Sequence, residues 1–255
     1  MNAPYVPGGL RSKVSRQLSR FMARDECAIE LDHAIISFSF DDFPKSAATI
    51  AAKQLEVRGW TGTYYTCAGL AGTKNHHGQM FDAEDVLRLN QAGHEIACHT
   101  FEHLDCAKAK ASEILTSIEK NAEALKAMGL ERELTSFAFP YGEVSPTAKL
   151  LLAERFDALR GIRAEVNRGR SDLNLLSAVP LDGGQAGIDR ACEAAQSLMQ
   201  APGWLIYYAH DVQDNPSEWG CTPDEFERVL NAAEASGAAI MPVDAALHAL
   251  SEVAA

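Results

Sequence analysis

The chain has 255 residues, with 23 basic and 35 acidic side chains and a formal net charge of −12. Hydrophobic residues make up 47% and charged residues 23%, which excludes a disordered or collagen-like chain. The acidic balance argues against nucleic acid or an anionic membrane as a partner, because both bind dense basic patches. No apolar run reaches the roughly 18 residues that cross a bilayer.

The amino-terminal segment lacks the apolar core of a signal peptide, so we expect a cytoplasmic protein. Residues 1–30 are predicted to form a helical extension, and its basic residues suit one face of a solvated helix or of a lid over the domain. Six cysteines show no CxxC pair and are expected to be reduced. Residues 31–255 are expected to form one domain.

Apolar runs alternate with amphipathic segments along the rest of the chain. The predicted elements, in chain order, are a strand at 33–40, a helix at 44–58, a strand at 60–67, a helix at 82–93, a strand at 95–98, a helix at 106–128, a strand at 134–139, a helix at 146–154, strands at 156–159 and 175–181, a helix at 188–200, a strand at 204–209, a helix at 223–236, a strand at 239–242 and a helix at 243–250.

This alternation predicts parallel strands joined by helical crossovers. About seven such units suit an α/β protein of the (β/α) barrel type, and an open doubly wound sheet is the alternative. No GxGxxG or GxxxxGK[ST] motif follows a strand, which removes the main support for a dinucleotide or phosphate-loop protein.

Polar residues follow several of the predicted strands at the point where each strand ends. In a parallel barrel these ends form one rim, and the rim holds the active site. The residues placed there are Asp41, Asp42, His99, His103, Pro140, Tyr141, Gly142, Asp182 and His210.

Two of these groups have the composition of a metal site. Successive side chains on a strand diverge, so Asp41 and Asp42 can serve a metal and a water separately; the alternative is a pair of helix-capping residues. His99 and His103 would share one face if residues 99–103 form a helical turn, and the alternative is a pair of surface histidines. Glu102 does not occupy the position of the glutamate in HExxH, so a zinc peptidase is disfavoured.

The other histidines carry no such pattern. His76 and His77 are adjacent in a loop rich in Gly, Asn and Lys, and we interpret both as solvent-exposed. His94 is interpreted as structural, and His33 and His248 have no partner motif.

A carboxylate with two imidazoles forms the three-ligand set of a catalytic zinc site, which keeps one position for water. A second carboxylate can accept the proton of that water, and a further histidine can protonate a leaving amine or alcohol. Asp41, Asp42, His99, His103 and His210 together supply all five groups.

These residues resemble the motifs of the NodB-homology polysaccharide deacetylases, carbohydrate esterase family 4. The similar segments are SFDD at 39–42, HTFEH at 99–103, FPYG at 139–142 and AHD at 209–211. The resemblance implies a distorted (β/α) barrel, a divalent metal that is usually zinc, and removal of acyl groups, typically acetyl from N-acetylated sugars.

The resemblance also implies roles for individual residues. Asp41 would be the general base and His210 the general acid. The metal would be held by Asp42, His99 and His103. The backbone N–H of Tyr141, made stiff by the preceding proline, would help to stabilise the oxyanion.

Two departures from the family pattern are visible. Ala138 stands where the family carries an arginine that steadies the base, and Arg160 or Arg163 is expected to replace it, unless both lie in a solvated loop. The fourth motif offers Asp182 without an adjacent tryptophan. Asp182 is predicted to orient His210, and the alternative is an ordinary turn residue.

The sequence therefore predicts a metal-dependent hydrolase that removes an acyl group from an N-acylated amino sugar or oligosaccharide. Zn²⁺ is the expected metal, with Co²⁺ or Ni²⁺ as substitutes. The alternatives are a hydrolase of other linear or cyclic amides on the same scaffold, and a non-catalytic sugar-binding module. Carbohydrate or another small acylated compound is the expected partner.

Overall fold

The computed structural model describes residues 10–182 and 184–253. Its strands are β1 Glu26–Ile29, β2 Ile35–Asp42, β3 Thr63–Thr66, β4 Lys74–Asn75, β5 Gly78–Gln79, β6 Glu95–Cys98, β7 Ser136–Ala138, β8 Ala158–Arg160, β9 Gly169–Asp172, β10 Val179–Pro180, β11 Trp204–Ala209 and β12 Ala239–Ile240. Its helices are α1 Leu10–Ser19, α2 Ala52–Glu56, α3 Ala83–Gln91, α4 Ala111–Ala127, α5 Pro146–Ala153, α6 Gly184–Ser197, α7 Pro223–Ala235 and α8 Val243–Val253.

Seven parallel strands form the main sheet in the order β10–β11–β2–β3–β6–β7–β8. A further strand, β12, pairs with β2 in parallel. The predicted α/β fold with about seven parallel strands is confirmed, and helical crossovers connect most of the strands.

One short segment joins the two edges of this sheet. The N–H of Gly161, after β8, donates to the carbonyl of Leu176 at 2.9 Å. Four residues later, β10 pairs with β11 on the opposite edge. Residues 176–180 thus draw the two edges together, which produces a distorted barrel rather than an open sheet.

The central strand β2 is buried along its whole length. The rings of Phe38 and Phe40 pack edge-on against Phe226 of α7, with centroids 5.7 and 5.9 Å apart. Because side chains alternate along a strand, Ser39 and Asp41 face the other side. The apolar alternation of β2 therefore fixes the direction in which Asp41 points.

The amino-terminal extension contains a helix and a strand within its described part. Helix α1 lies against the loop after β7, where Ser15 Oγ donates to the Val144 carbonyl. Strand β1 pairs antiparallel with β9. The buried Lys149 ammonium donates to the carbonyls of Ser19 and Met22, both at 2.9 Å, which fixes the extension to α5.

Two local features differ from the prediction. Residues 47–51 form a π-helical turn that leads into α2. Residues 74–79, predicted as a loop, form the small antiparallel hairpin of β4 and β5. No helix within the described ranges is long and apolar enough to cross a membrane. All six cysteines are free, as expected.

Candidate metal and catalytic site

The carboxyl ends of the parallel strands bring the predicted residues to one rim. Asp41 and Asp42 end β2, the loop after β6 carries His99 and His103, and His210 follows β11. A short turn after β7 carries Tyr141, and Arg160 ends β8.

Three imidazole nitrogens surround the carboxylate of Asp42. Its Oδ1 lies 3.7 Å from Nε2 of His99 and 3.4 Å from Nε2 of His103. Its Oδ2 lies 3.6 Å from Nε2 of His77. These separations exceed a charge-assisted hydrogen bond of about 2.8 Å. They match the roughly 3.4 Å between two donors of a tetrahedral shell with bonds near 2.1 Å, so the residues fit a divalent cation.

The charge state of Asp42 also suits a cation. Burial alone would raise its pKa, but His103, His99, His210 and His77 together hold the pKa well below its ordinary value. The carboxylate is therefore ionised at every pH at which the protein would work.

Two of the histidines have their tautomer fixed by a backbone carbonyl. Nδ1 of His99 lies 2.8 Å from the Ala138 oxygen, and Nδ1 of His210 lies 3.2 Å from the Trp219 oxygen. Because a carbonyl only accepts, each Nδ1 carries the hydrogen and leaves the lone pair of the neutral ring on Nε2. Metal-binding histidines are held in this way.

Asp41 is paired with a buried arginine. The Arg160 guanidinium donates to Asp41 Oδ1 and lies between the rings of Tyr65 and Tyr208, at 4.9 and 5.1 Å from their centroids. Burial would raise the pKa of Asp41, but Arg160 and the nearby His99 outweigh it, so the pKa lies below its ordinary value. Asp41 is thus an ionised carboxylate with a fixed orientation.

The loops of this rim have an uncommon backbone conformation. Five of the six non-glycine residues with positive φ in the described chain occur here, with values between 57° and 66°: Asp42, Phe43, Thr100, His103 and Tyr141. Such residues are rare and concentrate where the surrounding structure fixes them for function.

Tyr141 lies in the turn Pro140–Gly142 at the mouth of the site. Its ring meets that of His103 edge-on, with centroids 4.2 Å apart, and its side chain is 37% exposed. Tyr141 is therefore close enough to contact a substrate that approaches Asp42.

His77 is the site residue that the sequence interpretation missed. It was expected to be solvent-exposed, but it is 2% exposed and forms the turn of the β4–β5 hairpin, which inserts into the rim. Its Nδ1 lies 3.1 Å from Oδ1 of Asp211 and 3.0 Å from Oγ of Ser217. Asn75 before it and Gly78 after it are turn-forming residues that could have predicted the hairpin.

A cavity of about 420 Å³ lies next to this rim. Gly142 and Gly161, the neighbours of Tyr141 and Arg160, form part of its wall. Six arginines also line it: Arg16, Arg20, Arg24, Arg163, Arg168 and Arg170. Several of these arginines pair with acidic side chains. The cavity wall itself contains two acidic residues, Glu165 and Asp172, against six arginines.

The family model described as polysaccharide deacetylase matches residues 29–156. The chain belongs to this family. The predicted resemblance to the polysaccharide deacetylases is therefore confirmed. The matched segment contains Asp41, Asp42, His99, His103 and Tyr141, whereas Arg160 and His210 lie beyond it.

Individual relatives of this chain are distant. A bifunctional xylanase/deacetylase from Pseudobutyrivibrio xylanivorans is 26% identical over 121 residues, which cover 48% of this chain and 19% of the relative. The matched segment thus spans about a fifth of that protein's length.

Solved structures share the fold. The Xyl-CE4 domain of a multidomain xylanase from the hindgut metagenome of Trinervitermes trinervoides is 19% identical with a TM-score of 0.60, covering 84% of this chain and 89% of that one. The chitin deacetylase of Colletotrichum lindemuthianum is 11% identical with a TM-score of 0.62, covering 86% of this chain and 88% of the other.

The structure corrects or resolves the sequence expectations at three further points. Residues 99–103 form an irregular loop instead of a helical turn, and positive φ at Thr100 and His103 brings the two imidazoles together. Of the two arginines offered as a replacement, Arg160 contacts Asp41, whereas the Arg163 side chain is 54% exposed and pairs with Glu165.

The predicted pairing of Asp182 with His210 is the third point. The partner that the structure gives to Nδ1 of His210 is the Trp219 carbonyl. Asp182 lies near Arg190, and burial raises its pKa. Its place at the start of the turn before α6 suits the alternative, an ordinary turn residue. The buried carboxylate that does hold an imidazole is Asp211.

Proposed function

We propose that this chain is a metal-dependent deacetylase that removes an acyl group, most simply acetyl, from an N-acylated amino sugar. The observation that carries the proposal is the arrangement around Asp42, where imidazole nitrogens lie at ligand–ligand distances from both carboxylate oxygens. A separately paired carboxylate, Asp41, ends the same strand. Family membership supports the same reaction.

We propose Zn²⁺ as the metal, held by Asp42, His99 and His103. Aspartate and histidine suit zinc and also admit Co²⁺ or Ni²⁺. When bound, such a metal supplies Lewis-acid chemistry, since it polarises the acyl carbonyl and makes a coordinated water more acidic.

Asp41 acts as the general base in this proposal. Its carboxylate is ionised because Arg160 keeps its pKa low, and the same contact fixes the oxygen that accepts the proton of the attacking water. The guanidinium lies between two tyrosine rings, which fix its position. The Asp41 carboxylate that it binds therefore keeps its orientation at the rim.

His210 acts as the general acid. Its Nδ1 donates to the Trp219 carbonyl, so proton exchange with the substrate takes place at Nε2. Burial lowers the pKa of His210, which leaves the resting imidazole neutral. Asp41 passes the proton that it accepted from the attacking water to Nε2 of His210, and His210 then gives this proton to the departing amine. The backbone N–H of Tyr141 is proposed to donate to the oxyanion.

We expect the substrate to be a carbohydrate that itself carries an acidic group. One solved relative is a chitin deacetylase and another is a domain of a xylanase, so both N-acetyl and O-acetyl substrates belong in a test. The arginines of the adjacent cavity favour substrates that carry a phosphate or a carboxylate. A cytoplasmic location stays a prediction, which cell fractionation would check.

Acetate release from a substrate panel tests the proposal. The panel includes an N-acetylglucosamine oligosaccharide, acetylated xylan, a phosphorylated N-acetyl sugar and a cyclic ureide. Metal-dependent acetate release from an N-acetyl sugar is expected, with a lower KM for the phosphorylated one. Ring opening of the ureide without acetate release would identify a cyclic amidase. Sugar binding without turnover of any compound would identify a non-catalytic module.

A further inference from the structure

The pair His77–Asp211 is a buried polar unit at the rim that the proposed reaction does not use. His77 comes from the β4–β5 hairpin and Asp211 from the residue after His210, so the fold joins segments 134 residues apart in the chain. Both side chains are almost fully buried. Burying an imidazole and a carboxylate costs free energy, which calls for a compensating role.

We propose that His77 is a fourth protein ligand of the metal, with Asp211 as the group that orients it. Its Nε2 faces Oδ2 of Asp42 at 3.6 Å, the distance found between Oδ1 and the predicted ligands His99 and His103. Asp42, His77 and His210 form one cluster whose ligand atoms all lie within 4.8 Å of one another, and His210 keeps the role of general acid there. This inference concerns the metal centre of the proposed deacetylase.

The hydrogen-bond network explains why Nε2 is the ligand atom. Asp211 receives hydrogen bonds from the Ser217 N–H and Gln213 Nε2, both at 2.8 Å, and from Ser217 Oγ at 2.5 Å. All three donors direct a hydrogen at the carboxylate, so Asp211 acts as an acceptor in this network. An ionised carboxylate only accepts, so Nδ1 of His77 carries the hydrogen and Nε2 has the lone pair. A carboxylate–histidine–metal series has this arrangement.

The distance between His77 Nε2 and Asp42 Oδ2 distinguishes a metal ligand from a proton relay. A protonated His77 that donated to the ionised Asp42 would approach to about 2.8 Å. At 3.6 Å the two groups do not form a good hydrogen bond, yet each has an electron pair that a shared cation can accept. The geometry therefore favours a ligand over a donor.

The hairpin holds His77 firmly enough for this task. The N–H of His77 donates to Asn75 Oδ1 at 2.8 Å, and the N–H of Met80 donates to the Thr73 carbonyl at 2.9 Å. On the other side, Gly220 packs against Asp211. A Cβ at Gly220 would lie 2.3 Å from the backbone carbonyl oxygen of Asp211. Asp211 is thus enclosed by backbone, and the imidazole that it holds has one orientation.

Cys67 is the competing fourth donor. Its Sγ lies 3.6 Å from Oδ1 of Asp42 and belongs to a second group with His99. The thiol donates its hydrogen to the His99 carbonyl at 3.0 Å, so the sulfur is bound as a protonated thiol. A metal requires the thiolate, so Cys67 suits a structural role, whereas His77 presents a free lone pair.

Metal affinity, measured without substrate, tests the inference. We expect His77→Ala to weaken Zn²⁺ binding, measured by competition with a chelator, on the order of 100-fold or more. His76→Ala is the matched control, since it removes the exposed imidazole of the same turn and should bind Zn²⁺ like the original chain. In the Co²⁺ form, loss of His77 should change the visible absorption spectrum, because band intensity follows coordination number.

A second variant covers the case in which His77→Ala fails to fold. Asp211→Asn keeps the shape of the network but removes the carboxylate, and it should weaken Zn²⁺ about 10-fold with a smaller spectral change. Unchanged affinity and an unchanged Co²⁺ spectrum in His77→Ala and Asp211→Asn, or in Asp211→Asn where His77→Ala does not fold, would overturn the inference. Two tightly bound ions per chain would also overturn it, since His77 would then serve a separate ion with His210.

The two proposals fail in different ways. If the original chain binds one Zn²⁺ through His77 but releases no acetate, the proposed function is wrong and the ligand assignment stands. If acetate is released but His77 variants bind Zn²⁺ like the original chain, the ligand assignment alone is wrong.

Discussion

Both ends of the barrel contain buried carboxylates, but the pKa values of these carboxylates shift in opposite directions. At the carboxyl end, Asp41 and Asp42 face imidazoles and a guanidinium, and their pKa values fall. At the amino end, Glu95 begins β6 and is equally buried, but the groups that donate hydrogen bonds to it are neutral. It accepts from Thr63 Oγ1 at 2.8 Å and from Ser136 Oγ at 2.6 Å. Burial, with a smaller contribution from Asp244, raises its pKa to about 7.

The difference shows that burial alone does not set the charge of a carboxylate. Desolvation is the largest single influence at both ends, yet only the end supplied with cationic partners keeps its carboxylates ionised. The end with ionised carboxylates can hold a metal, whereas Glu95, whose pKa is raised, joins β3, β7 and α8 through hydrogen bonds. The following experiments separate these two behaviours.

The largest effect is expected from Asp42→Ala. This change removes the carboxylate whose two oxygens face His99, His103 and His77, so Zn²⁺ affinity should fall on the order of 100-fold or more. Hydrolysis should fall to background. Chelator competition and acetate release measure the two effects. Glu102→Gln is the control, because Glu102 accepts from Ser117 and is not part of the Asp42 cluster. Full metal content in Asp42→Ala would contradict the assignment.

Asp41→Asn should separate catalysis from metal binding. Loss of the general base is expected to reduce kcat by about 10²- to 10⁴-fold. Metal content should stay unchanged, because Asp41 is not among the ligands. Since the change also leaves the buried Arg160 charge unpaired, a thermal unfolding curve must accompany the kinetics. A variant that remains folded and keeps near-full turnover with saturating Zn²⁺ would show that another group is the base.

Arg160→Gln should have a smaller, pH-dependent effect. The contact with Arg160 keeps the pKa of Asp41 low, so its removal should raise that pKa. The acid limb of the kcat/KM profile should then move to higher pH, and the rate at low pH should fall by about 10-fold for each unit of movement. Arg163→Gln, which removes the exposed arginine three residues later, should leave the position of the acid limb unchanged when an uncharged N-acetylglucosamine oligosaccharide is the substrate. Equal effects of the two changes would argue against the Asp41 contact.

The strand-end residues of the carboxyl end were predictable because each follows a recognisable apolar run. Asp41 and Asp42 follow ISFSF, and His210 follows WLIYYA. The carboxyl ends of parallel strands lie at one rim of a barrel, and this does not depend on the conformation of the loops. The strand pattern therefore placed these residues without any knowledge of the loops.

The residues that escaped prediction depend on loop conformation and on contacts between distant segments. His77 enters the site because a six-residue hairpin folds over the end of β2, and its partner Asp211 lies 134 residues further along the chain. His99 and His103 lie in one site because the backbone has positive φ at Thr100 and His103. Positive φ in non-glycine residues cannot be predicted from the residue type. Asp182 was expected to orient His210 because it stands in the fourth motif of the family resemblance, whereas the structure places a buried carboxylate, Asp211, beside His77.

The smallest effect on catalysis and the clearest effect on stability are expected at the amino end. The pKa of Glu95 is about 7 in the folded chain, against an ordinary value of 4.5. Between these pH values the folded chain retains a proton that the unfolded chain has released, so the free energy of unfolding falls as pH rises through this window. The full loss is about 3 kcal/mol. Glu95→Gln, which stays neutral, should remove this slope in urea unfolding measured from pH 4.5 to 8 and leave Zn²⁺ affinity unchanged. The exposed Glu131→Gln should keep the slope. If Glu95→Gln kept it as well, Glu95 would be ionised in the folded chain and the contrast between the two ends would fail.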